Sequence, residues 1–201
     1  MGNKLGGGGG GSPCAVTHLT PGEKQAIRRT WTLFMKNIRE DGPAVFMALF
    51  VRYPAYQKLF APFADVDLSV LPNDPRLTAH AVSWAYFMTS IVDNLDDPPT
   101  LTELVRKLAR NHHIYTVGPQ HFEHMSGVIV QVFQDKLGKK MTPVCCESWG
   151  KMMEYVVQTV QSVSEEKERE EKLLEKESPG HDGAEDEGKK KRSKKKQKKK
   201  E

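Results

Sequence analysis

From Pro75 onward the apolar residues Leu77, Ala81, Trp84, Met88, Ile91 and Leu95 recur at alternating spacings of 4 and 3, until the run DDPP at 96–99 halts them. That period puts all six on one face of an α-helix, whereas a strand would alternate its faces every two residues. The same period recurs along the chain. Thr20 can cap a helix that has Pro21 at its first position and Glu23 reaching back to complete a capping box, and Ile27, Trp31, Phe34 and Ile38 then share a face. Gly42 and Pro43 read as the end of that helix and the start of one carrying Phe46, Leu49 and Phe50, while Pro54 and Pro62 break YPAYQKLFAPF into a short helix and a loop. After Pro99 come Leu101, Leu104 and Leu108. Gly118 and Pro119 open a helix with Phe122, Met125, Ile129, Val132 and Phe133 inward, and Thr142 and Pro143 open the last, with Trp149, Met152, Val156 and Val160 inward. Nothing alternates with period 2 over a strand's length, so the expected class is all-α.

A chain of 201 residues, 38% hydrophobic, is long enough for one domain with a sizeable core. Residues 18–164 are expected to be the folded unit, between a flexible glycine-rich leader at 1–17 and a charged tail at 165–201. The net charge of +4 conceals a segregation: residues 165–187 hold 11 acids against 4 bases, while KKKRSKKKQKKK at 189–200 holds 10 bases and no acid. Such polar, aromatic-free sequence cannot bury enough surface to offset its ordering entropy, so disorder is expected past about residue 178. The longest apolar run, AVFMALFV at 44–51, is far short of the roughly 20 residues a membrane-spanning helix needs. MGNKLGGGGGGS lacks the apolar region of a secretory signal, so the chain is expected to stay inside the cell. Cys14, Cys145 and Cys146 make no disulfide framework and lack metal-site spacing, and reduced thiols are the expectation.

Two adjacent histidines, in LARNHHIYTVG at 108–118, pose the question of a metal ligand. On a helix their side chains diverge by about 100°, so at most one faces a given pocket. His112 continues the stripe of Leu101, Leu104 and Leu108, and His113 falls to its flank. His80, on the stripe side of the preceding long helix, is the natural partner: two histidines on facing helices can hold a metal, or the two sides of a haem iron. A histidine on an apolar face is also commonly a core residue bonded to a carbonyl. No Glu-x-x-His motif supports a di-iron site, and His121 and His124 make only half a zinc site, reading better as surface residues. No nucleophile motif, phosphate-cradling loop or dinucleotide fingerprint occurs in the helical body.

Over about residues 19–163 the sequence resembles the globins, and especially the intracellular neuroglobin, cytoglobin and globin X branch. The resemblance rests on LTPGEKQAIRRTW, RYPAYQKLFAPF and HAVSWAYFMTSIVDNLDDP, and on the 32 residues separating His80 from His112, with Pro54 and Phe60 in register. It implies a globin fold of about eight helices around haem b, with His112 as proximal and His80 as distal iron ligand. Phe60, Phe63, Phe46, Val117 and Phe122 match positions that line the haem. Trp84 departs from the pattern. It stands one turn beyond His80, where relatives carry a small aliphatic residue, and so either reshapes the gas-binding side, offering an indole hydrogen bond, or restricts access to it.

The resemblance further implies reversible binding of oxygen, nitric oxide or carbon monoxide, with a redox or sensing role and an electron-donor reductase that the sequence does not identify. Nitrite reduction and nitric oxide dioxygenation, performed by some relatives, are the enzymatic alternatives, and a haem-free helical adaptor is the structural one. MGNKLG resembles a myristoylation start at Gly2, with Gly6 where serine or threonine is usual, and Cys14 is a candidate for palmitoylation. Together with the terminal bases this points to an anionic membrane surface, on the cytoplasmic face of the plasma membrane, as partner. The basic run also reads as a nuclear or nucleic-acid-binding tail, although no aromatic residue interleaves it for stacking on bases.

Overall fold

The computed structural model describes residues 11–177. Among them are six α-helices, α1 (Pro21–Met35), α2 (Ile38–Arg52), α3 (Pro75–Asp93), α4 (Pro98–His113), α5 (Pro119–Leu137) and α6 (Pro143–Glu177), with 3₁₀ turns at Pro54–Leu59, Ala61–Phe63, Leu71–Asn73 and Gly138–Lys140 and no strand. The all-α expectation holds. The chain divides into two compact units after residue 165, and the core lies in the first. In the second, the described residues belong to the charged last turns of α6, where Lys167 and Glu170 pair at 2.7 Å. The expected flexibility of residues 1–10 and disorder past residue 178 lie outside the described residues.

Every α-helix but α2 starts with proline, whose missing N–H is harmless in a first turn. The capping box of α1 forms as read: Thr20 Oγ1 accepts from Glu23 N–H at 3.3 Å, and Glu23 Oε2 accepts from Thr20 N–H at 2.8 Å. Ahead of it, Cys14 N–H donates to the Leu19 carbonyl and His18 N–H to the Cys14 carbonyl, both at 2.9 Å, closing a small loop that buries Thr17 and Leu19.

One boundary differs from the sequence reading. The break between α1 and α2 falls at Lys36 and Asn37, whose N–H groups bond short to the carbonyls of Leu33 and Phe34, and Gly42 and Pro43 lie buried inside α2. Gly42 serves close approach instead of termination. A Cβ on it would stand 3.2 Å from the Ala81 Cβ, so the bare backbone lets α2 press against α3 beside His80.

Four helices meet at Trp31. Its ring centroid lies 5.9 Å from Phe34, 6.0 Å from Trp84, and 6.1 Å from both Phe133 and Trp149, while its indole N–H donates to Thr89 Oγ1 at 3.0 Å. Trp149, fully buried, donates its own N–H to Thr30 Oγ1 at 2.9 Å, and Thr30 passes its hydroxyl hydrogen to the Ala26 carbonyl at 2.8 Å. Thr30→Val keeps the shape of the side chain and strands the Trp149 N–H. It is expected to lower the unfolding free energy by about 1–3 kcal/mol, read in urea as a lower midpoint with an unchanged slope.

Candidate functional site

A cavity of about 630 Å³ opens in the first unit, walled by α2, the turns around Pro54–Phe63, α3, α4, α5 and α6. Phe46, Phe60, Phe63, His80, Trp84, His112, Val117 and Phe122 all line it, so one space gathers every residue that the sequence nominates for the iron or its macrocycle. His113, half-buried on the flank of α4, is not among its lining residues.

His112 is fixed by its own helix. Its Nδ1 lies 2.9 Å from the Leu108 carbonyl, which can only accept, so Nδ1 carries the hydrogen and Nε2 keeps its lone pair. A core histidine bonded to a carbonyl and a ligand-ready histidine are therefore the same residue here. The Phe122 ring meets the imidazole edge-on at 5.2 Å and 67°. Beyond it the chain closes in a Schellman-type turn: Val117 N–H donates to the His112 carbonyl at 3.3 Å and Thr116 N–H to that of His113 at 2.9 Å. Thr116 takes the position usually given to glycine, at φ 57°, a conformation that costs a residue with a Cβ roughly 1–2 kcal/mol. That turn reverses the chain so that Val117 reaches the cavity wall.

The stripe on α4 differs in depth from the sequence reading. Leu101 is buried, but Leu104 and Leu108 are half-buried, with Leu108 bordering the open cavity, and the deep positions are Val105 and Ala109. Helix rotation explains this: Leu108 is turned toward the cavity and Leu104 toward the margin of the core, while Val105 and Ala109 on the adjacent face point into it.

His80 stands across the cavity among ring edges, with Phe46, Phe60 and Phe63 centroids at 4.9, 5.1 and 6.0 Å, all near perpendicular to the imidazole. Its exposed surface borders the cavity. Loss of hydration among these rings, and secondarily the charge that His112 can carry, hold its pKa below the usual histidine value. The Phe60 and Phe63 walls are themselves pinned by Gln57, whose buried amide donates to the Phe63 and Val66 carbonyls at 2.9 and 2.7 Å.

This geometry meets a matching sequence relationship. The globin family profile matches residues 43–160, more than half of the chain. The chain is a globin. It is similar to a cytoglobin-2 of Danio rerio, 28% identical over 137 residues that cover 67% of this chain and 76% of that protein. A hemoglobin-3 of Phacoides pectinatus is 31% identical over 118 residues, 58% of this chain and 77% of that one. Among solved structures, a hexacoordinated haem protein from an anhydrobiotic tardigrade superimposes with a TM-score of 0.66 at 20% identity, over 72% of this chain and 94% of the other. That last likeness establishes the shared fold.

Within this globin, Trp84 is half-buried and drawn toward the core, edge-on to Trp31 at 6.0 Å and to Phe46 at 5.8 Å, while still lining the cavity. The histidines of α5 are not surface residues, as the sequence reading had them. Both are half-buried. His121 caps its helix by accepting the Gly118 N–H on Nδ1 at 3.2 Å, and His124 lies under Tyr53. Neither completes a zinc site, because no cluster of three or more His, Cys, Asp or Glu close enough for a metal ion occurs among the described residues. The sequence reading turned Met125 and Ile129 inward without assigning them to the site, and it missed Gln57, Tyr56 and Met153. Gln57 positions the Phe60 loop and the others line the cavity, and a polar side chain between two prolines was the one available signal for Gln57.

The depressed pKa of His80 sets a pH dependence. Below about pH 6.5 the unfolded chain takes up the proton first, so the stability present above that pH is lost as the pH falls toward the folded value. In haem-free protein, His80→Leu is expected to flatten the decline of unfolding free energy between about pH 7.5 and about pH 5.5, measured by urea titration at each pH.

Proposed function

We propose that this globin holds haem b between His112 and His80 and binds diatomic ligands reversibly. The observation that carries the reading is His112, whose Nδ1 is occupied by the Leu108 carbonyl and whose Nε2 remains an acceptor, sharing an aromatic-walled cavity with a second histidine. Two imidazoles with no third carboxylate or thiolate grouped with them among the described residues suit an iron whose other positions are filled by a macrocycle. Bound haem would supply the redox-active iron and the position at which gas binds. The chain supplies the rest. Leu108 fixes the His112 tautomer, Phe46, Phe60 and Phe63 set their ring edges around His80, and the hydration His80 loses among them holds its pKa below the usual histidine value, which favours the neutral form able to coordinate.

His80 thereby competes with external ligands. Were the open form ~1% populated, apparent affinity would fall ~100-fold, equivalent to about 2.7 kcal/mol. His112→Ala is expected to abolish or greatly weaken haem retention while His113→Ala leaves it nearly intact, as read from the Soret absorbance after haem titration. Equal loss in both would defeat the assignment. His80→Leu is expected to convert a six-coordinate ferrous spectrum to a five-coordinate one and to accelerate carbon monoxide binding.

We further propose attachment to an anionic membrane surface through acylation at Gly2, and at Cys14 as a second signal, aided by the bases at 189–200. The sequence features support this: one myristoyl chain binds only marginally, and each base adds up to ~1 kcal/mol at an anionic leaflet. Gly2 and the basic run lie outside the described residues, and among the described residues no helix is long and apolar enough to cross a membrane. In cell fractionation, Gly2→Ala should remove the salt-resistant share of membrane-bound protein, and truncation after Ser178 the salt-sensitive share. Unchanged distribution of both would sink the attachment.

A further inference from the structure

Between α5 and α6 the surface carries a groove of about 420 Å³, lined by exposed Glu123, Gly127, Gly150 and Glu154. Ser126 and Met153 line both this groove and the cavity, so the two spaces meet across these two side chains. Helical spacing builds the wall. On α5, Glu123, Ser126 and Gly127 share a face at i, i+3 and i+4, and on α6 Gly150, Met153 and Glu154 do the same. Each helix thus turns toward the groove an exposed glycine beside a residue that reaches the cavity. A Cβ on Gly127 or Gly150 would meet no atom of another described element within 4 Å, so the groove is open at both positions.

The partition is slight. Met153 is buried, and the Ser126 hydroxyl donates to the Phe122 carbonyl of its own helix at 2.7 Å. Outside and cavity are therefore divided by one flexible thioether, with three rotatable side-chain bonds, and one hydroxyl whose hydrogen is already committed. A methionine changes rotamer far faster than a helix moves. The approach past His80 is narrower, crowded by the ring edges of Phe46, Phe60 and Phe63. The carboxylates of Glu123 and Glu154 repel an anion at the groove and leave a neutral molecule unaffected.

We propose that neutral diatomic ligands reach the cavity through the groove between α5 and α6, with Met153 as the gate, and do not have to pass His80. The proposal rests on the haem-binding reading above. Oxygen, nitric oxide and carbon monoxide are small and uncharged, so they lose little hydration on passing an apolar gate. Anions are left to the mouth of the cavity, where exposed Ser83 and Tyr115 stand in its lining.

The test uses the full-length, haem-bound ferrous protein. After laser photolysis of its carbon monoxide complex, the rebinding rate that rises with carbon monoxide concentration reports entry, separately from the return of His80. Gly127→Leu and Gly150→Leu place side chains in the groove where there is room for them, and leucine favours a helix over glycine, so both variants should fold and keep the wild-type Soret band. Each is expected to slow that rate severalfold, and Met153→Ala, which shortens the gate, to raise it. In ferric His80→Leu protein, where no internal ligand competes, azide should bind at the same rate with and without the leucines. An unchanged carbon monoxide rate in both leucine variants, an unchanged rate in Met153→Ala, or an equal slowing of azide would each overturn the passage and leave the haem reading intact. Absence of a Soret band in wild type would overturn that reading and the passage with it.

Discussion

The indole of Trp31 joins α1, α3, α5 and α6 through one hydrogen bond and four ring contacts, and the register of α3 follows from it. Because its N–H ends on Thr89, α3 cannot slide or turn along α1 without stranding a polar group, a loss of about 1–3 kcal/mol. Fixing Thr89 fixes Trp84 and His80 on the turns before it. Aromatic pairs of this kind contribute roughly 0.5–1.5 kcal/mol each beyond the area they bury, so the cluster holds its shape although a hollow lies beside it. Gly42 acts at the same junction from the other side, letting α2 close on Ala81.

Much of this was legible in the sequence, for a reason that also marks the limit. A period of 3.6 residues encodes which face of a helix turns inward, and that sufficed to prefer His112 over His113 and to set His80 opposite it. Periodicity does not say what an inward face meets. Leu104 and Leu108 share the face of His112, yet Val105 and Ala109 are the buried ones: Leu108 borders the cavity and Leu104 packs only at the margin of the core, whereas the second pair points into it. Proline and glycine misled at positions 42 and 43 for a similar reason. A small residue can mark a chain break or a tight crossing, and only the neighbouring helix decides between them. The α5 histidines read as surface residues because their partners, Gly118 and Tyr56, are a backbone amide and a side chain far away in sequence.

Backbone groups do much of the positioning. The Leu108 carbonyl decides which nitrogen of His112 is free, the His112 carbonyl in turn anchors the reversal at Thr116 and Val117, and two loop carbonyls hold Gln57. None of these contacts depends on the side chain that supplies the carbonyl. Substitutions at Leu108, Phe63 or Val66 can therefore alter packing while leaving the hydrogen-bond frame of the site in place.

The hollow itself has a consequence for the life of the protein in a cell. Any ligand that binds within these largely apolar walls in the native state but not in the unfolded chain stabilises the fold, by about 2.7 kcal/mol at a hundredfold excess over its dissociation constant. Proteases that act on the unfolded fraction would then clear unfilled chains faster than filled ones. The abundance of the protein would track the supply of its cofactor, making the pocket a gauge of that supply even at a constant rate of synthesis.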